Sequence, residues 1–122
     1  MRWRVELHPE FLIEFDEFTR AVRIEMSARI ELIGAMGPAL KRPHADTLKG
    51  SKHANMKELR FNADNGVWRL AYAFDPERKA ILLVAGDKSG GSPRRFYETL
   101  IAKADARYDA HITNLMKKGS KP

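Results

Sequence analysis

The sequence contains no cysteine. That excludes a disulfide framework and any thiolate-bound metal centre. It also lacks an apolar run near the ~20 residues that a membrane helix needs. The opening residues, MRWRVELHPE, do not contain the apolar stretch of about 7–15 residues that marks a secretory signal. No segment repeats, and none is of low complexity. The four histidines, His8, His44, His53 and His111, include no pair at metal-ligand spacing. The absences together predict a cytoplasmic protein with no membrane partner and no metal.

What remains is a chain of 122 residues, 43% hydrophobic and 31% charged. Such a chain builds one packed core but not two. A single domain is expected over residues 1–116, followed by a flexible basic tail, KKGSKP, over 117–122. Lys and Arg number 22 against 16 Asp and Glu, a formal net charge of +6. A basic balance attracts nucleic acid, and attracts an acidic protein equally well.

Residues 2–7 alternate Trp3, Val5 and Leu7 with Arg2, Arg4 and Glu6, the period of a strand. Pro9 suits the first position of a helix. Phe11, Phe15, Phe18, Val22, Met26, Ile30 and Ile33 then recur at helical spacing, as one helix or as two broken near Thr19. Gly34, Gly37 and Pro38 end the stripe. Residues 41–55 read as a polar loop. Three strands follow, over 56–62, 67–74 and 79–87, joined by the turn sequences ADNG and DPER. Gly66 supplies the left-handed conformation a hairpin needs, and Pro76 presets the second bend. Ser92 and Pro93 form a helix start. The last helix carries Phe96, Leu100, Ala104, Tyr108 and Ile112 on one face. The fold class is α+β, with the helices packed on one face of the sheet.

If Ala63–Gly66 is the first turn, Phe61 faces Trp68 and Leu59 faces Leu70 on one side of the sheet. Arg60 then faces Arg69 on the other side, with Glu58 beside them. Two opposed arginines repel by up to about 1 kcal/mol. Either Glu58 bridges them or an anion such as phosphate lies between them. A loop over Asp75–Arg78 sets Val84 opposite Arg69 and puts Lys88 on the arginine face. Such a face suits phosphodiester chemistry, since guanidinium groups bind phosphate bidentately. The same pattern is also that of an ordinary solvated face.

Four blocks carry a resemblance: Leu48–Ser51, Met56–Arg60, Trp68–Tyr72 and Leu82–Lys88, in that order and followed by a closing helix. Over residues 48–112 the sequence resembles the RelE/ParE toxin superfamily, in its phage-derived HigB-like branch. The resemblance implies a RelE-like fold: an N-terminal strand and helices, a three-stranded antiparallel meander and a C-terminal helix. It implies the toxin of a type II toxin–antitoxin system, an endoribonuclease that cuts mRNA on the ribosome without metal or cofactor and inhibits translation. The implied partners are mRNA, the ribosome and a cognate antitoxin, expected to be a helix-turn-helix protein. By position, Arg69 matches the family arginine at the scissile phosphate. Lys88 matches a basic residue ending the last strand, and Arg60 a recurring strand arginine. Tyr97 matches an aromatic that orients the 2′-hydroxyl, although Gly90, Gly91 and Ser92 lengthen the loop before it. Glu58 stands where some relatives carry lysine, so the base is Glu58, Lys57 or His53. Lys49, Lys52, His53 and Lys57 are the candidate RNA contacts. Two other functions fit the fold or the charge: a gyrase-poisoning ParE-like toxin, and a non-enzymatic nucleic-acid-binding regulator of a phage or plasmid. Arg60, Arg69 and Lys88 weigh against the first.

Overall fold

The computed structural model describes residues 2–119. In chain order the elements are β1 (Val5–Leu7), α1 (Pro9–Glu17), α2 (Arg20–Met36), β2 (Ala45–Thr47), β3 (Lys57–Ala63), β4 (Gly66–Phe74), β5 (Ala80–Asp87) and α3 (Pro93–Gly119). The sheet has five strands in the order β1-β5-β4-β3-β2. β1 runs parallel to β5, and the other neighbours are antiparallel. No helix among the described residues is long and apolar enough to cross a membrane.

The helical stripe divides at Thr19. Its backbone is extended, and its Oγ1 accepts the Val22 N–H at 3.3 Å, capping α2. Gly37 ends α2 at φ 56, a conformation costly for any residue with a side chain. Helix α1 starts at Pro9, and the preceding His8 caps it: Nδ1 accepts the Glu10 N–H at 3.1 Å. That bond needs an unprotonated Nδ1. Burial holds the His8 imidazole below its ordinary pKa, with the Arg107 charge adding to the effect. The unfolded chain takes up this proton near pH 6.5, about the ordinary histidine value, while the folded chain resists it. Stability present at neutral pH is therefore lost as pH falls below that range. His8→Asn keeps a capping oxygen and has no proton to gain. Its melting temperature should fall less than the wild type's between pH 7 and 5.5, and an identical decline in both proteins would remove His8 as the cause.

The first hairpin has the register expected, with Arg60 opposite Arg69 and Phe61 opposite Trp68. Its turn chemistry differs. Ala63 pairs with Gly66, and the loop is Asp64 and Asn65, both at positive φ (51° and 62°). A two-residue turn with both central residues left-handed matches the twist of the strands, and Asp and Asn tolerate that region. Gly66 is needed for space instead: a Cβ there would lie 2.6 Å from Asp87 Oδ2.

The second hairpin is shifted from expectation. Asp75 N–H donates to Lys79 O, so the loop is Pro76–Arg78, with Arg78 at φ 65. Asp75 Oδ1 also accepts the Lys79 N–H at 2.9 Å. The shorter loop slips the pairing by one residue, which alone would turn Lys88 to the wrong face. A bulge between Ala71 and Tyr72 adds a second slip and restores it. Arg69 thus faces Gly86, not Val84, and Lys88 still lies on the arginine side.

The helices do not share one face. Phe11, Val22, Met26 and Ile33 pack with Leu59, Phe61, Leu70, Tyr72 and Leu82 on one side. Leu100, Ala104 and Tyr108 of α3 pack with Ala71, Ala73, Ile81 and Leu83 on the other. The central strands are apolar on both faces, so both need cover. Arg107 ties the two layers together, donating to Glu14 Oε1 and to Leu83 O, each at 2.8 Å. Helix α3 also continues past the expected end of the domain. Lys117 and Lys118 are helical, and residues 120–122 lie outside the described residues.

Candidate active site

Strand alternation aims Glu58 and Arg60 of β3, Arg69 of β4 and Lys88, the residue just past β5, to the side of the sheet that α3 covers. Helix α3 starts beside them, capped by Ser92 Oγ, which accepts the Arg95 N–H at 3.3 Å. Its first turn delivers Tyr97. The phenol donates to Glu58 Oε1 at 2.8 Å, and Arg69 Nε donates to the same phenol oxygen at 3.2 Å. Arg69 Nε also lies 3.3 Å from Glu58 Oε1, while Arg60 Nη2 lies 3.6 Å from Glu58 Oε2. The five residues expected to do the chemistry therefore meet, and the longer loop at Gly90–Ser92 does not displace Tyr97 from the set.

Glu58 answers the repulsion between the two arginines. Its side chain is only 7% exposed and takes both guanidinium groups plus a phenol. Two ion pairs, together with a charge-assisted bond from Tyr97 of about 1.5–3 kcal/mol, outweigh an Arg–Arg repulsion of at most about 1 kcal/mol. Arg69 is also nearly buried, and its Nη1 donates to Trp68 O at 2.9 Å. Arg60 is half-exposed, and its buried Nε has no hydrogen-bond partner among the described residues. Burial, reinforced by the bond to Glu58, raises the Tyr97 phenol above its ordinary pKa. Tyr97 is accordingly a proton-bearing donor at neutral pH. Lys88 closes one side, with Nζ 5.9 Å from the Tyr97 ring centroid. Asp87 fixes the turn that presents it, accepting the Val67 N–H at 2.9 Å and the Ser89 N–H at 2.8 Å.

One member escaped the sequence reading. Asp46 on β2 faces Glu58 across the sheet edge, 3.6 Å from Arg60 Nη2. The Thr47 N–H bond chiefly holds its carboxyl below the usual range, with Arg42, Arg60 and Lys49 adding to it. A strand of three residues inside a polar segment gives no readable alternation, so nothing in the sequence marked Asp46. Of the candidate RNA contacts, only Lys49 is placed near this rim. Lys52 and His53 are engaged by Asp109 of α3, His53 Nε2 at 2.8 Å, and the His53 ring packs edge-on against Tyr108. Lys57 pairs with Tyr72 on the opposite side of the sheet. Among the three possible bases, only Glu58 belongs to the cluster.

A mostly antiparallel five-stranded sheet with a helical pair on one face and the third helix on the other defines a RelE-like α+β fold. The E. coli toxin RelE, solved as a mutant in the free state, superimposes with a TM-score of 0.62 at 15% identity. The match covers 88% of this chain and 98% of that one. The chain belongs to the family described as phage derived protein Gp49-like (DUF891), whose model matches residues 13–109. Two similar proteins of Mycobacterium tuberculosis carry toxin names. HigB3 is 40% identical over 103 residues, covering 84% of this chain and 88% of the relative. HigB2 is 43% identical over 86 residues, 70% of this chain; the chain spans only 42% of that relative's length.

Proposed function

We propose that this chain is the toxin of a type II toxin–antitoxin pair and cuts mRNA on the ribosome without a metal. The toxin names of its relatives support the class, and the buried Glu58–Arg69–Tyr97 cluster beside Arg60 and Lys88 carries the chemistry. Glu58 takes the proton of a ribose 2′-hydroxyl as the O2′–P bond forms, exchanging the Tyr97 hydroxyl for the ribose one. Tyr97 orients that hydroxyl. Arg60 and Arg69 neutralise the charge that builds on the phosphoryl oxygens. Lys88 protonates the departing O5′, leaving a 2′,3′-cyclic phosphate and a 5′-hydroxyl. His53, committed to Asp109, plays no part in proton transfer.

A cluster held by its own ion pairs is tuned to a substrate that arrives already oriented, which is what a ribosome-bound codon provides. Purified protein should cut translated mRNA much faster than the same mRNA free in solution, read by 5′-end mapping. Equal rates on both would defeat the ribosome requirement. A growth arrest with intact mRNA and inhibited gyrase would defeat the nuclease reading itself. The excess of positive charge also fits an antitoxin that presents acidic segments, with attraction speeding the encounter. A small helix-turn-helix reading frame is expected beside the gene, and its co-expression should relieve the arrest and yield a complex. Harmless strong expression of the chain alone would speak against the toxin reading.

A further inference from the structure

The geometry points to a nucleobase slot between β5 and the start of α3, a binding site for one base flanking the scissile phosphate. This rests on the RNA-cleaving reading above. A cleft of about 330 Å³ lies there, with a floor of Val84 and Gly86, a wall of Phe96, and Arg95, Thr99 and Lys103 at the rim. Gly86 lets that wall stand close against the strand. A Cβ at that position would stand 2.9 Å from Phe96 Cε1, so only a glycine lets the ring settle on the strand. Gly86 is the residue opposite Arg69 in the β4–β5 register, and the Phe96 ring is 5.3 Å from that of Tyr97. The slot therefore adjoins the cluster, one strand across from Arg69 and one residue from Tyr97 along the helix.

The chemistry of the cleft selects the occupant. An aromatic wall and an apolar floor suit a flat ring, and every base offers a face for stacking. The rim suits a phosphate. Arg95 is exposed, and its guanidinium has no ion-pair partner among the described residues; Lys103 is exposed beside it. A base in the slot places its own ribose-phosphate at this rim and the neighbouring phosphate toward Arg69 and Tyr97. Phe96 and Lys103 would then hold the strand in register beside the cut.

The test uses a 2′-O-methyl trinucleotide, which cannot be cleaved, titrated into the whole protein and followed by NMR. Copies with an abasic sugar at each position in turn are compared. Removing the base at one position should weaken binding by the wild type about 10-fold, within the range for stacking one base on an aromatic ring. The same removal should cost little in Phe96→Leu, which keeps apolar bulk without a π face. Thr99→Trp, an exposed rim substitution that plugs the cleft without touching the core, should behave likewise. If abasic substitution has the same effect in wild type and both variants, or none anywhere in the wild type, the slot is refuted. Cleavage on ribosomes by the wild type is scored separately. A protein that cuts but shows no slot effect loses this inference alone, and a protein that does not cut loses the nuclease reading.

Discussion

Arg69→Ala should lower mRNA cleavage on translating ribosomes by about 10²–10³-fold, corresponding to about 2.7–4 kcal/mol of transition-state stabilisation for one preorganised donor. Arg69 stands mid-strand opposite Arg60, and three contacts fix its guanidinium: Tyr97, Glu58 and Trp68 O. Those contacts use Nε and Nη1, leaving Nη2 without a partner among the described residues and available to phosphate. A group held this firmly needs no reorganisation when charge develops. The same contacts mean that the substitution also costs stability. Glu58 already cancels the Arg60–Arg69 repulsion, so there is no repulsion to relieve, and the loss of a partner leaves a buried carboxylate poorer by about 1–3 kcal/mol. Arg69→Lys should restore stability better than activity, because an ammonium cannot reproduce the planar fork. Cleavage is assayed at a temperature where circular dichroism shows each variant folded. A folded Arg69→Ala protein that cuts at the wild-type rate would place the chemistry elsewhere.

Removal of the carboxylate should have the largest effect on stability. Glu58→Ala leaves two guanidinium groups facing each other across β3 and β4, one of them nearly buried. Breaking a buried ion pair from one side typically costs about 3–5 kcal/mol. Arg60 is half-exposed and partly served by Asp46, so the lower end of that range applies. The double variant Glu58→Ala with Arg69→Met removes both charges and should recover most of the lost stability while remaining inactive. Denaturant unfolding of the two single variants and the double gives the coupling directly. Additive losses would show that Glu58 and Arg69 do not depend on each other, and the bridging role would fall.

Much of this site was legible because period and pairing are local properties. Alternation along 57–62 and 67–74 fixed which residues share a face. The demand that Phe61 and Leu59 meet Trp68 and Leu70 admits one register, and that register brings Arg60 to Arg69. Helix starts at Pro9 and Pro93 were readable for the same reason, since caps and first-turn prolines act within a few residues. The candidate set of Glu58, Arg60, Arg69, Lys88 and Tyr97 followed from these rules together with the family resemblance. Other features depend on contacts between distant segments. The bulge at Ala71–Tyr72 reconciles a three-residue turn held by Asp75 with the Arg69–Gly86 register, and neither is visible in β5 alone. Asp46 joins the cluster only because β3 recruits a three-residue edge strand. Helix α3 crosses to the second face because Ala71, Ala73, Ile81 and Leu83 form an apolar surface only once β4 and β5 pair. His53 and Lys52 looked free in a polar loop until α3 laid Asp109 against them. The sequence by itself determined four of the five strands, the helical segments and the identity of the charged face. The tertiary structure alone decided which charges neutralise one another there, because ion pairing depends on distances that the chain sets only after its two layers have closed on the sheet.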